Sequence, residues 1–447
     1  MRKSKEVLGV ESLESRKVCD VDPLMRDQWG LSAIGANDIN MVSSSSVVVA
    51  VVDSGMDLNH PDLKNNIWTN PLEKVDGIDN DLNGYVDDIY GWDFANNDNV
   101  PQDDFYHGTH VAGIIAAESN GVGIRGVDPF AKIMSLKFQN SSGMGYSGAA
   151  ASAINYAVKM KNKGINVAAI NLSWGGGTSV NLTLQNAIKN ASDNGIIVVI
   201  AAGNNGDNND VTPRYPSSYR FSNTISVAAI DQSYNIASYS NYGKNSVDVA
   251  SPGTSILSTL PNNSYGSISG SSMSAPFVSG MVAFLRGLGY SSASVKNAII
   301  NSCSFVGNLA EKVGCGLVNL RGSLDYLKTN SISITPPSTP APVPVVPAPV
   351  VSSLTYRIEE LSVYRIKGWA RDSSNSNKRL MVEIIINDKY VYSRKANMVR
   401  SDLGGRFGFN IKFDSAKFVR GSNKVSVRII DPLAKETLTV ERMLFAA

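Results

Sequence analysis

At 447 residues, with 43% hydrophobic and 18% charged residues, the chain is long enough for two or three domains around a sizeable core, which excludes a disordered or fibrous protein. No stretch approaches the roughly 18 consecutive apolar residues of a membrane span, and the three cysteines, Cys19, Cys303 and Cys315, exclude a disulfide framework and match no zinc-ligand spacing. The formal charge is only +2, but residues 353–447 hold 18 Lys+Arg against 10 Asp+Glu, net +8, which leaves −6 for everything before them, so the two parts are expected to meet different surroundings.

In chain order, residues 1–20 read as a loose tail whose basic start lacks the apolar core of a secretory signal. From 21 to 329, short apolar runs such as SSVVVAVVD, NVAAINLSW and GIIVVIAAG alternate with helix-like runs such as GTHVAGIIAAES and APFVSGMVAFLRGL. That alternation predicts an α/β domain, a doubly wound parallel sheet covered by helices on both faces, with functional groups at the carboxyl ends of its strands. Residues 330–352 hold seven of the 18 prolines and form a linker. Beyond it, YRIKGWA, RLMVEIIIN, RFGFNIKF and NKVSVRIID alternate with period two, as expected of a small all-β sandwich over 353–447. Its basic excess suits contact with an anionic cell envelope as well as plain solvation, and no aromatic-plus-basic pattern points to nucleic acid.

Four residues stand at element ends. Asp53 closes the run SSVVVAVVD, His107 precedes the helix in HGTHVAG, Asn204 ends the strand in IAAGNNG, and Ser272 lies in GSSMSAPFVSG, where a helix is expected to begin with Pro276 in its first turn. A lone serine at a helix start is ordinarily an N-cap. With an acid, a histidine and an amide at comparable positions, it completes the parts needed for acyl transfer. The helix dipole at His107 disfavours the imidazolium, and Gly108 is expected to leave the ring uncrowded. His110, inside the helix, and His60, before Pro61, read as structural. HGTH lacks the HExxH pattern of a zinc protease. GMGYSG, residues 143–148, satisfies GxGxxG, but 160–180 contains no Asp or Glu to bind a ribose, which argues against a dinucleotide-binding oxidoreductase.

Between Asp53 and His107, residues 76–104 include nine aspartates and no Lys or Arg. Asp79, Asp81 and Asn83 before Gly84 repeat the first half of an EF-hand loop, and Asp87 or Asp88 supplies a further carboxylate. Hard oxygen donors in this pattern favour Ca2+ over zinc, with a solvated acidic loop as the plainer reading.

DSG, HGTHVAG, AAGN and GSSMSAP, in this order, resemble the signature blocks of the subtilisin-like serine proteases, the subtilase or peptidase S8 family, and the similarity runs through most of 24–329. The resemblance implies a serine endopeptidase acting on polypeptides, with Ser272 as nucleophile, His107 as general base, Asp53 orienting it and Asn204 in the oxyanion hole. It implies that the stretches around Ser141 and Gly143, and around Ser173, Trp174 and Gly175, flank an extended substrate as neighbouring strands. Ser271 replaces the family's usual Thr and Phe277 its usual His, both expected to be packing changes. Relatives with similar insertions bind calcium, members are commonly secreted with a prodomain, and the C-terminal runs resemble GWA-type β-sandwich modules of bacterial secreted hydrolases. A calcium-stabilised, extracytoplasmic, monomeric enzyme is the expectation. The alternative is a catalytically silent protein of the same fold that binds through its C-terminal domain.

Overall fold

Val48–Asp53 (β1) is six buried residues, mostly β-branched, whose side chains alternate between two cores: Val49 and Val51 face one, Val48, Ala50 and Val52 the other. A strand buried on both faces has to be central, and it is. In the computed structural model the seven strands run β2-β3-β1-β4-β5-β6-β7, where β2 is Gly91–Asp93, β3 Lys132–Lys137, β4 Val167–Leu172, β5 Ile197–Ala201, β6 Thr224–Ile230 and β7 Val249–Pro252. Every pairing in this sheet is parallel. The structure describes residues 22–330, apart from 38 and 40–46, and strands between 354 and 446. The tail expected over 1–20, and the linker expected over 330–352 save its first residue, lie outside the described residues.

Of the helices, α1 (Trp29–Ala33), α2 (His107–Ala116), α5 (Ser271–Gly287), α6 (Ser292–Asn301) and α7 (Leu320–Asn330) contribute to the core on the Val49 and Val51 face, while α3 (Ser147–Asn162) and α4 (Leu182–Asp193) cover the other. Both layers of helix are thus present, as the alternating apolar runs predict. After β1 the chain builds β2 and β3 on one side, then crosses to β4 on the other, so the order reverses around β1. In such sheets the crevice outside the carboxyl ends at that reversal is where ligands bind. Asp53 and Ser173 sit there, at the end of β1 and just beyond β4.

One expectation about α5 needs correcting. Pro276 lies inside the helix, in its second turn, because the helix already starts at Ser271. A proline has no N–H for the carbonyl four residues back, here Ser272, so that carbonyl is left without its helical partner.

The chain divides into two compact units, Met1–Ile334 and Thr335–Ala447. In the second, Leu354–Leu361, Arg365–Asp372, Gly405–Lys412 and Met398–Arg400 form one antiparallel sheet, and Tyr390–Lys395, Met381–Ile386, Gly421–Ile430 and Thr437–Ala446 another. Val382, Ile384 and Ile386 are fully buried, and Ile385 on the other face is nearly so.

Candidate active site

Asp53 is fully buried at the end of β1. Its Oδ1 accepts hydrogen bonds from the Ser54 N–H at 2.8 Å and from His107 Nδ1 at 2.7 Å. This close meeting depends on two glycines. A Cβ on Gly108 would stand 2.1 Å from the Gly55 carbonyl oxygen, and Gly55 itself has φ +105°, so the turn after β1 and the first turn of α2 touch through bare backbone. Gly108 therefore serves the close approach of the two chain segments.

A second carboxylate, missed in the sequence, braces the same junction. Asp103 Oδ1 accepts from Ser54 Oγ at 2.9 Å, its Oδ2 accepts from the Thr109 N–H and hydroxyl, and Ser54 Oγ in turn accepts from the Gly108 N–H. The usable signal was its position four residues before His107. Burial pushes Asp103 up, and these donors oppose the shift. For His107, burial pulls the imidazolium down, but the charge and hydrogen bond of Asp53, with a further contribution from Asp103, outweigh it, so its pKa lies above the ordinary 6.5. The helix-dipole expectation is thus overridden: the neighbouring carboxylate decides. His110 is buried, bonds the Gly266 carbonyl through Nε2 and is pulled down to about 4, mainly by burial. His60 uses both ring nitrogens on backbone, with the Asp62 N–H and the Ser264 carbonyl.

Ser272 is the second residue of α5, half-buried, with the helix's first N–H groups free of intrahelical partners. Its hydroxyl donates to the Ser173 carbonyl at 2.8 Å, while the Ser173 hydroxyl donates to the Ser272 carbonyl at 2.7 Å, the acceptor that Pro276 leaves unused. Asn204, exposed, accepts from the Ser271 N–H through Oδ1 at 2.8 Å. An N–H must meet an oxygen, so the amide NH2 is the end left to donate to a ligand. Ser271 Oγ accepts from the Gly203 N–H, and Phe277 is buried against Gly30, consistent with packing roles for both departures from the family pattern.

A cleft of about 620 Å3 is lined by Gly143, Met144, Tyr146, Trp174, Gly175 and Leu184, among others. Trp174 is fixed in it by a bond from Nε1 to the Val52 carbonyl and by packing on Phe138. Of the expected substrate-binding positions, Gly143, Trp174 and Gly175 line this cleft, Ser173 bonds Ser272, and Ser141 is not among the lining residues.

The chain matches the profile of the subtilase family, peptidase S8, over residues 44–316. It is 37% identical over 301 residues to thermitase of Thermoactinomyces vulgaris, covering 67% of this chain and 96% of that one. The chain is a subtilase. It is also 36% identical over 290 residues to the major intracellular serine protease of Bacillus subtilis strain 168, covering 63% of this chain and 81% of the other. Among solved structures, a protease from Pseudoalteromonas arctica PAMC 21717 superposes with a TM-score of 0.57 at 28% identity, covering 69% of this chain and 99% of that chain. The subtilase is accordingly a serine endopeptidase, a hydrolase of polypeptides.

In the aspartate-rich insertion of this subtilase, Asp81 and Asp88 converge. Asn70 Nδ2 bonds both carboxylates, and so does Asn83 Nδ2; Tyr156 adds its hydroxyl to Asp88. Asp79 and Asp87 instead accept from backbone N–H groups of the loop, at Asn83 and Gly84 and at Asp76 and Gly77. Asn70, which the spacing argument missed, lies outside the aspartate-rich run itself. Asp81 Oδ1 is buried without a hydrogen-bond partner, though Lys163 Nζ lies 3.8 Å away as an ion pair, and burial pushes Asp88 up to about 6. A comparable spot joins Asp62, whose Oδ1 is likewise unpartnered, to Asp22: Asp62 accepts from Ile124 N–H and Asp22 from Asn120 and Gly121 N–H, all in one loop. Among the described residues no group of three or more acidic, histidine or cysteine side chains converges.

Proposed function

We propose that the subtilase cleaves peptide bonds through Ser272, His107 and Asp53, with an acyl-enzyme intermediate. The observation that carries this is the 2.7 Å bond from His107 Nδ1 to buried Asp53, which leaves Nε2 as the ring nitrogen free to take a proton. Ser272 Oγ, turned from the Ser173 carbonyl toward the imidazole, attacks the substrate carbonyl as its proton passes to His107. Asp53 steadies the imidazolium that forms. The negative oxygen of the tetrahedral intermediate is held by the Ser272 N–H and the Asn204 NH2. His107 then gives its proton to the leaving amine, and water repeats the sequence on the ester. The cleft beside Trp174, with the backbone of 173–175 and 143–145, suits an extended polypeptide.

A hard cation such as Ca2+ fits two spots by donor chemistry: Asp81 and Asp88 with Asn70 and Asn83, and Asp22 with Asp62. In each, a buried carboxylate oxygen lacks a hydrogen bond, and at the first the Lys163 ammonium, 3.8 Å from Asp81 Oδ1, competes with a cation. Bound calcium would neutralise buried charge and tie loops to the domain. Cys303 and Cys315 are disulfide-bonded, which supports an extracytoplasmic site of action.

The deciding experiment compares the full chain with Ser272→Ala for casein hydrolysis and for labelling by a fluorophosphonate. Both activities are expected in the parent and neither in the variant; a folded parent that does neither rejects the reading.

A further inference from the structure

Asn204 stands in the loop that leaves the carboxyl end of β5, where Asn204, Asn205 and Gly206 are all exposed. An exposed loop has little packing to fix it. An amide that is to meet an oxyanion, however, helps only if its position is set before the charge develops. The first part of the loop is held by the start of α5: Ser271 Oγ accepts from the Gly203 N–H, and Asn204 Oδ1 accepts from the Ser271 N–H. The rest is held by Asn241.

Asn241 lies on the covered side of the loop and is fully buried. An asparagine amide can accept two hydrogen bonds and donate two, and here all four are made. Oδ1 accepts from the Asn205 N–H at 2.9 Å and the Asp207 N–H at 3.0 Å, while Nδ2 donates to the Ala202 carbonyl at 3.2 Å and to Asn209 Oδ1 at 3.1 Å. The main chain adds a fifth bond, from the Asn241 N–H to the Gly203 carbonyl at 2.9 Å. The chain on either side of Asn204 is thus fastened to a single residue. Gly203, at φ +112°, permits this, because a Cβ on it would stand 2.4 Å from Asn241 Nδ2. Asn241 is in turn tied to the sheet: its carbonyl accepts from Ser240 Oγ, which accepts from the Ala229 N–H of β6.

We propose that Asn241 is a positioning residue for the reaction: it locks the backbone on both sides of Asn204, so that the Asn204 NH2 is in place when the tetrahedral oxyanion forms. This rests on the assignment of Asn204 to the oxyanion hole. Without the Asn241 amide, the Asn205 and Asp207 N–H groups lose their acceptor, and the loop regains hydrogen bonds by turning toward the water already on its other side. That movement carries Asn204 away from the developing charge. A misplacement of about 1 Å can cost on the order of 100-fold in rate. Substrate in its ground state carries no oxyanion and binds as before, so the loss falls on kcat and spares KM.

The test is a double-mutant cycle in the full chain, with kcat and KM measured on one peptide for the parent, Asn241→Ala, Asn204→Ala and the double variant. Asn241→Ala is expected to lower kcat by about 10- to 100-fold with KM within about twofold of the parent. Made on top of Asn204→Ala, the same change is expected to lower kcat by less than about twofold, since the donor it positions is already gone. Should Asn241→Ala not fold, Asn241→Ser, which loses the same loop bonds but leaves a hydroxyl in the buried site, takes its place in the cycle. An unchanged kcat, a loss confined to KM, or an equal fold loss with and without Asn204 overturns the proposal and leaves Asn204 as an oxyanion donor. Asn204→Ala at full kcat means that the oxyanion assignment has failed, and the positioning role with it.

Discussion

Ser173 and Ser272 exchange hydrogen bonds, hydroxyl to carbonyl in each direction, at 2.7 and 2.8 Å. One half of this pair exists because Pro276 cannot donate to the Ser272 carbonyl. The other half directs the Ser272 hydroxyl at the Ser173 carbonyl. The edge that lines the cleft and the helix that carries Ser272 are thus tied together at one point.

Pro276→Ala would restore a helical donor to the Ser272 carbonyl and remove a proline that costs roughly 3 kcal/mol inside a helix. The expected result is unchanged or higher thermal stability together with lower kcat/KM, because the tie to Ser173 is broken. Ser173→Ala removes the same tie from the other side and is expected to cost about 1–2 kcal/mol of stability, since it also strips Asn171 Nδ2 of its acceptor. Calorimetry beside peptide hydrolysis checks both; a Pro276→Ala enzyme of full activity would show that the tie is irrelevant to catalysis.

Asn204→Ala leaves the Ser271 N–H without its acceptor and the developing oxyanion with one donor fewer. A fall of about 100- to 1000-fold in kcat with little change in KM is expected, a magnitude that comes from the corresponding asparagine of subtilisin itself. A comparable loss spread into KM would instead mean that Asn204 holds the ground state.

Asp53, His107, Asn204 and Ser272 were legible as candidates in the sequence because each stands at one end of a strand-like or helix-like run, and such an end is recognisable without tertiary information. The contacts that assemble them were not. Nothing in GSSMSAP says that Pro276 hands a carbonyl to Ser173, 99 residues away. Nor does local pattern show that Asn70 bridges Asp81 and Asp88, that Asp22 and Asp62 meet one loop, or that Asn241 joins Ala202 to Asp207. Such links depend on how separate strand ends lie side by side, which hydrophobic periodicity does not encode. Gly108 illustrates the same limit: its presence was visible, but its purpose, contact with Gly55, required the fold.

The pH profile follows from His107. Its pKa is raised above about 6.5 by Asp53 against the pull of burial, and the base has to be neutral, so kcat/KM rises through a limb above that value. In Asp53→Asn burial is left largely unopposed and the limb moves to lower pH, while kcat falls by about 10,000-fold, the loss seen for the equivalent change in a serine protease of unrelated fold. The stability contributed by the Asp53–His107 pair has the sign of a raised pKa: it is full below about pH 6.5 and is lost as pH climbs through the folded value. A limb that stays in place in Asp53→Asn would contradict the assignment of that pKa to His107.

Bound calcium would leave a distinct mark on the same axis. Without metal, Asp88 is pushed up from 3.8 to about 6, chiefly by burial, with the hydrogen bonds of Tyr156, Asn83 and Asn70 opposing and the charge of Asp81 adding to it. The folded chain then binds a proton that the unfolded chain has already released, so this stabilisation is full below pH 3.8 and disappears as pH rises through 6. In EDTA the thermal midpoint is therefore expected to decline between about pH 4 and pH 6 and to level off above that. Asp128, also raised to about 6 by burial, contributes to the same decline but lies outside the insertion, so the informative quantity is the difference between curves with and without calcium. Saturating Ca2+ favours the ionised carboxylates, flattens the decline and raises the midpoint at neutral pH. Asp88→Asn should abolish the part of that difference due to the insertion, and Asp62→Asn the part due to the Asp22 and Asp62 pair. Superimposable curves with and without calcium would reject both spots as metal sites.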